Sequence, residues 1–195
     1  GFYVADKIFF KNNIEINYNN IKQINFLFIG RLVKEKNIIK LAKALDIVNS
    51  QIKTAHKLII IGAGEYLSKV SAFKCVDYKG FKSQNEIINI AKKCHVFCLP
   101  STYEPWGVVT HEMAALGLPV LSSNKCGSSH DLVIDGFNGF KFNPLEVNSI
   151  VMCLKKFILL SAEEKRKFSQ NSFRIASKIN HENWNNTLNS IILKP

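Results

Sequence analysis

The sequence has no apolar run approaching the roughly 20 residues of a membrane-spanning helix. Its most apolar stretches, Phe26-Leu27-Phe28-Ile29 and Leu58-Ile59-Ile60-Ile61, are strand-sized. A cationic leader with an apolar run and a small-residue cleavage site is also missing, so secretion is not expected. The five cysteines, Cys75, Cys94, Cys98, Cys126 and Cys153, are odd in number and scattered, which argues against a disulfide framework and against zinc. A reduced, cytoplasmic compartment is the expectation. There is no Walker A motif, which argues against an ATP hydrolase, and no full G-x-G-x-x-G, because Gly62-Ala63-Gly64 runs on into Glu65, Tyr66 and Leu67. His56, His95 and His181 carry no metal-ligand spacing. Acidic residues are few, 15 against 26 basic ones, for a net charge of +11. The lysines are spread along the chain and no aromatic-and-basic motif accompanies them, so nucleic acid is not expected as a ligand. A compositional bias of an Asn/Ile/Lys-heavy chain is the plain reading of that charge, and peripheral contact with an anionic membrane surface, at the inner face of a cell membrane, is the alternative.

What is present is an alternation. At 195 residues the chain is long for one small domain and short for two, and its 47% hydrophobic content supports a sizeable core. Residues 1–24 have weak periodicity and read as an irregular lead-in or a short edge strand. From Phe26 the rhythm is regular. Strands are expected at 26–29, 57–61, 75–78, 96–99, 119–122 and 140–142, and helices at 37–49, from 65, and at 84–93, 108–116, 128–134, 146–160 and 161–178. Ser161 and Glu164 form a capping-box pattern. Trp184, Leu188, Ile191 and Ile192 give a last helix an apolar stripe. Short buried strands alternating with helices predict an α/β fold, a Rossmann-like parallel sheet with helices on both faces, followed by C-terminal helices. Ligands in such folds collect at the carboxyl ends of the strands. Gly30-Arg31, Gly62-Ala63-Gly64, Gly80-Phe81 and Ser101 to Gly107 all fall there.

The stretch from Pro100 to Val120 is the most informative. Its Pro105-Trp106-Gly107 turn leads into a helix at Val108, whose first amides have no internal acceptor and form an anion site. Gly107 lets the backbone come close to a ligand. Glu112, one turn into that helix, leans back toward its start and suits the cis-diol of a ribose; capping or a salt bridge is the competing reading. Glu104 stands before the turn, where a sugar beyond the phosphates would present its hydroxyls; a surface acid is the plain alternative. Arg31 and Lys36 follow the first strand, and a guanidinium beside a lysine suits a diphosphate. Gly62 and Gly64 either let a nucleotide approach or only make a tight turn. His111 and His130 are weak candidates for chemistry.

These residues resemble the C-terminal, donor-binding domain of a retaining glycosyltransferase of the GT-B fold, glycosyltransferase family 4 (group 1). The likeness rests on Gly30-Arg31-Leu32, Lys36, Gly62, Gly64, Gly80, Pro100-Ser101, the pair Glu104 and Glu112, Gly117, Pro119-Val120, Gly127, Asp131-Leu132-Val133, Asp135-Gly136 and Asn138-Gly139. It implies that Arg31 and Lys36 bind the donor diphosphate, that Glu112 holds the ribose and that Glu104 contacts the transferred sugar. The backbone at Trp106, Gly107, Val108 and Val109 would bind sugar hydroxyls and phosphate, with Gly30, Gly62 and Gly64 beside the nucleotide. Glu104, Arg31 and Lys36 are the residues implied in catalysis, Glu104 as nucleophile or as electrostatic support. The donor would be a UDP-, GDP- or ADP-sugar, used without metal. The acceptor would be a glycan or lipid-linked polysaccharide precursor, bound by an N-terminal domain that these residues do not contain. Met113 and His130 depart from the family's small residues. On this reading, 1–24 is the interdomain lead-in, 25–178 the nucleotide-sugar-binding domain, and 179–195 a helix that packs on the missing domain or supports a dimer. The chain alone would be inactive. A non-catalytic nucleotide-sugar-binding or scaffolding module, or a nucleotide-sugar epimerase-like enzyme, is the alternative.

Overall fold

The computed structural model describes residues 4–179. Six parallel strands form one sheet in the order β3-β2-β1-β4-β5-β6. They are β1 (Asn25–Ile29), β2 (Lys57–Ile61), β3 (Val76–Tyr78), β4 (Val96–Leu99), β5 (Val120–Ser123) and β6 (Gly139–Phe142). Between and around them run α1 (Lys7–Lys11), α2 (Ile38–Ile52), α3 (Leu67–Val70), α4 (Gln84–Ala91), α5 (Val108–Ala115), α6 (Ser128–Leu132), α7 (Val147–Leu159) and α8 (Ala162–Lys178). A 3-10 turn, Lys34–Lys36, precedes α2.

The strand order reverses between β1 and β4, which lie side by side. In a doubly wound sheet the loops diverge at that point and leave a crevice. The central strands β1, β2 and β4 are largely apolar on both faces, β4 with all four residues buried, because helices cover both sides there. One helix group pairs α2 with α7 and the other pairs α5 with α8. Within α2, Ile38, Leu41, Ala42, Leu45 and Val48 are buried, at the spacing that turns one helical face inward. Each such aliphatic side chain is worth about 1.5–3 kcal/mol when buried, so Leu41→Ala alone would weaken the α2 contact severely.

Segment 4–24 differs from its expected irregular or strand character. It contains α1 and no strand, and Phe9, Ile14, Tyr18 and Ile24 sit in the core. These apolar side chains are too widely spaced for either periodicity to register, yet each finds a place between elements. The capping box at Ser161 and Glu164 forms, with Ser161 N–H donating to the Glu164 carboxylate at 2.7 Å. Helix α2 runs three residues further than its pattern suggests and closes at Lys53 in the left-handed region. The expected last helix, with Trp184 to Ile192, lies outside the described residues. All five cysteines are buried and unpaired. Among the described residues no helix is long and apolar enough to cross a membrane.

Candidate functional site

The loops after β1, β2 and β4 build the crevice. Gly62 ends β2 with φ +136°, and a Cβ there would lie 2.0 Å from Gly30 O. Only glycine permits that approach. Leu32 N–H then donates to Ala63 O at 2.8 Å, and Tyr66 N–H to Leu32 O at 3.0 Å. Of the two readings of Gly62-Ala63-Gly64, the tight turn has a visible use: it binds two loops to each other.

The β1 loop is fastened equally well to the β4 side. Asn37 takes up the left-handed conformation before α2, and its Nδ2 donates to Pro100 O at 3.1 Å and Pro144 O at 2.9 Å. Thr102 N–H donates to Glu35 O at 2.8 Å. This fastening brings the Lys36 ammonium against the Glu104 carboxylate in a charge-assisted hydrogen bond, the side chains being only 16% and 15% exposed. Arg31, in contrast, is exposed and forms no hydrogen bond or ion pair within the described residues. Lys36, unlike Arg31, already has a carboxylate partner.

Past Glu104 the chain is held by α6: Gly127 N–H donates to Glu104 O and Ser128 N–H to Trp106 O, both at 2.9 Å. Gly107 is the N-cap of α5, at φ +88°, and brings no side chain to cap the helix. The leading amides of Val108 and Val109 are therefore without a capping acceptor. A Cβ at Gly107 would press on Glu104 Cγ at 3.0 Å and Leu99 Cδ2 at 3.1 Å, so glycine keeps the turn against the Glu104 side chain. Ser101 Oγ, Trp106 Nε1, Thr110 Oγ1 and Ser128 Oγ are buried without a hydrogen-bond partner. All four lie on the segments that meet at this turn. Sequence reasoning placed Ser101 at the strand end without giving it a role, and missed Thr110, Ser128 and Asn37; the serine after Gly127 and the asparagine before an apolar helix were the signals available.

Glu112 lies one turn below Val108 on α5, and the structure does not join it to Glu104. Its carboxyl is pushed up to about 7, first by burial and then by the Asp6 carboxylate at the N-cap of α1. Thus the structure gathers Lys36, Glu104 and the Gly107 turn, while Glu112 faces a different neighbour. His111 is structural. Its Nδ1 accepts from Ala5 N–H at 3.0 Å, so Nε2 carries the proton and donates to Ala176 O, also 3.0 Å. Burial holds its pKa down. His130 is exposed on α6. Among the described residues, no three His, Cys, Asp or Glu side chains cluster as metal ligands. Chemically, the crevice offers a lysine, a free arginine and open helix amides to an anion, with one carboxylate beside them.

The family described as "Glycosyl transferases group 1" matches residues 9–174. An uncharacterized glycosyltransferase of Methanocaldococcus jannaschii is 29% identical over 181 residues, covering 87% of this chain and 48% of that protein. The poly(glycerol-phosphate) alpha-glucosyltransferase of Bacillus subtilis is 28% identical over 181 residues, covering 85% of this chain and 26% of that protein. The chain thus spans about half the length, or less, of these curated relatives. Among solved structures, the C-terminal domain of a glycosyl transferase group 1 family protein from Francisella tularensis superposes with a TM-score of 0.68 at 17% identity, covering 91% of this chain and 95% of that one. That likeness shows the fold, the Rossmann-like half of the GT-B architecture.

Proposed function

The chain belongs to the group 1 glycosyl transferases, and from that premise we propose that it is the donor-binding part of a retaining, family 4 enzyme. The donor is a nucleoside-diphosphate hexose. The acceptor is a glycan or lipid-linked precursor in polysaccharide or lipopolysaccharide synthesis, and it is held by a domain beyond these residues. The observation that carries the reading is Lys36 and Glu104 meeting beside the uncapped start of α5, at the reversal point of the sheet. Transfer forms a bond from an acceptor hydroxyl oxygen to the anomeric carbon and breaks the bond from that carbon to the diphosphate oxygen, leaving charge on that oxygen, which takes up the acceptor's proton. Lys36, Arg31 and the amides of Val108 and Val109 neutralise it, in the manner of preorganised donors at a developing anion. Glu104 accepts a hydroxyl of the sugar and supports positive charge on the ring, and Glu112 accepts the ribose diol. No step requires a metal. The protein works in the cytoplasm, at the inner face of an anionic membrane.

Calorimetric titration of UDP, GDP and ADP, and of their glucose conjugates, into the folded chain tests this. One nucleoside diphosphate binds, and Lys36→Met weakens it at least about tenfold, a change of about 1.4 kcal/mol. A folded chain that binds none of the three sinks the proposal. Sugar transfer itself is expected only when the acceptor-binding domain is joined to the chain; alone, the chain is inactive.

A further inference from the structure

We propose that the groove between residues 13–19 and α8 is a second ligand site, and that it takes a neutral saccharide. The groove has a volume of about 470 Å³. Two hydrogen bonds to the turn before β5 anchor its walls: Ile14 N–H donates to Leu116 O at 2.8 Å, and Ser169 Oγ–H to Gly117 O at 2.6 Å. It therefore lies at the amino edge of the sheet, across the molecule from Lys36 and Glu104. The walls are fixed. Ile14 and Tyr18 are buried, and the Tyr18 hydroxyl donates to His95 O at 2.8 Å. Arg166, Gln170 and Phe173 follow an i, i+4, i+7 spacing and share one face of α8. The backbone of the groove is therefore already placed, and a ligand has only its lining side chains to order.

The lining selects a ligand class. Asn13, Glu15, Arg166 and Gln170 all line the groove, and none of these side chains forms a hydrogen bond or ion pair within the described residues. One carboxylate balances one guanidinium, so neither an anion nor a cation is favoured. Amides, a carboxylate and a guanidinium together present donors and acceptors side by side. Hydroxyl groups, which both donate and accept, satisfy that mixture best. Phe173 is half-buried and stands outside the core cluster, giving an aromatic face for the C–H side of a sugar ring. The volume falls within the roughly 300–1,000 Å³ of small-molecule sites. Preferring a saccharide to another polyol rests on the transferase reading, since such a protein works among glycans.

The test is saturation-transfer NMR and calorimetry on the folded chain with maltose, lactose and N,N′-diacetylchitobiose, and with alanine tripeptide as the competing class. One disaccharide is expected to bind with a Kd of about 1–10 mM. Gln170→Ala, at an exposed position, and Phe173→Ala are each expected to weaken it at least about fivefold without changing Tm or UDP binding. Lys36→Met is expected to leave it unchanged. Any of these results overturns the proposal: no disaccharide signal at about 50 mM, binding that survives both groove substitutions, or tighter binding of the tripeptide in the same groove. Loss of the signal in Lys36→Met would assign it to the donor crevice and overturn the proposal as well. Should UDP fail to bind while a disaccharide does, the donor reading falls and the groove stands.

Discussion

In the absence of donor, Glu104 occupies the ammonium group that the diphosphate is proposed to use. Donor binding then exchanges one anion for another on Lys36, and Glu104→Gln removes the internal competitor. The magnitude follows from the environment. Ion pairs in open solvent are worth about 0.2–1 kcal/mol, and breaking a fully buried pair costs about 3–5 kcal/mol. With side chains 16% and 15% exposed, Lys36 and Glu104 lie between these limits. We take about 1–2 kcal/mol, so Glu104→Gln should tighten UDP about 5- to 30-fold. The conjugated sugar gains less, because the amide that replaces Glu104 supports a sugar hydroxyl more weakly than a carboxylate does. The ratio of the UDP-sugar Kd to the UDP Kd therefore rises in the variant. Calorimetry at fixed ionic strength measures both constants, with Lys36→Met as the control that weakens both. The salt dependence of UDP binding should steepen as well, since a freed lysine meets the diphosphate with its full charge. If Glu104→Gln leaves UDP affinity unchanged or lowers it while Tm is retained, the exchange argument is wrong.

Three further expectations follow from the same geometry. With the Glu112 carboxyl held at about 7 by burial and Asp6, its proposed acceptance of the ribose hydroxyls strengthens on ionisation, so nucleotide-sugar affinity should rise with pH through about 7; pH-dependent calorimetry should show Asp6→Asn moving that rise to lower pH and Glu112→Gln flattening it. Burial holds His95 down near about 4, aided by His56 and Lys165, and also lowers His56. Between about pH 4 and 6.5 the unfolded chain therefore binds more protons than the folded one, and stability should fall as pH drops through that window. Glu112 acts oppositely, losing stability as pH rises from about 4.5 to 7, so urea denaturation in a Glu112→Gln background should uncover the histidine loss, to which His111, also lowered by burial, contributes in the same direction. Gly62→Ala would place a methyl 2.0 Å from Gly30 O; the loops after β1 and β2 must then part, and chemical denaturation should show a loss of more than about 3 kcal/mol or no folded protein.

The parts of this fold legible in the sequence are those whose cause is local. Strands such as Leu58 to Ile61 are short apolar runs ended by glycine, and α2 declares itself by the spacing of Ile38, Leu41, Leu45 and Val48. The meeting of Lys36 and Glu104 was half legible. Each follows a strand that ends in the crevice, and the strand order that makes β1 and β4 neighbours turns two loop positions 68 residues apart into one contact. What stayed hidden depends on partners distant in sequence and without pattern. Asp6 sits on a five-residue helix in an aperiodic segment, yet it helps set the protonation of Glu112. His111 is adjacent in sequence to the ribose candidate but spends both ring nitrogens joining Ala5 to Ala176. The neighbourhood of Glu112 is thereby tied to both ends of the described chain. A sequence motif names the two glutamates as a pair; the fold instead gives one to Lys36 and sets the other beside Asp6 at the start of α1.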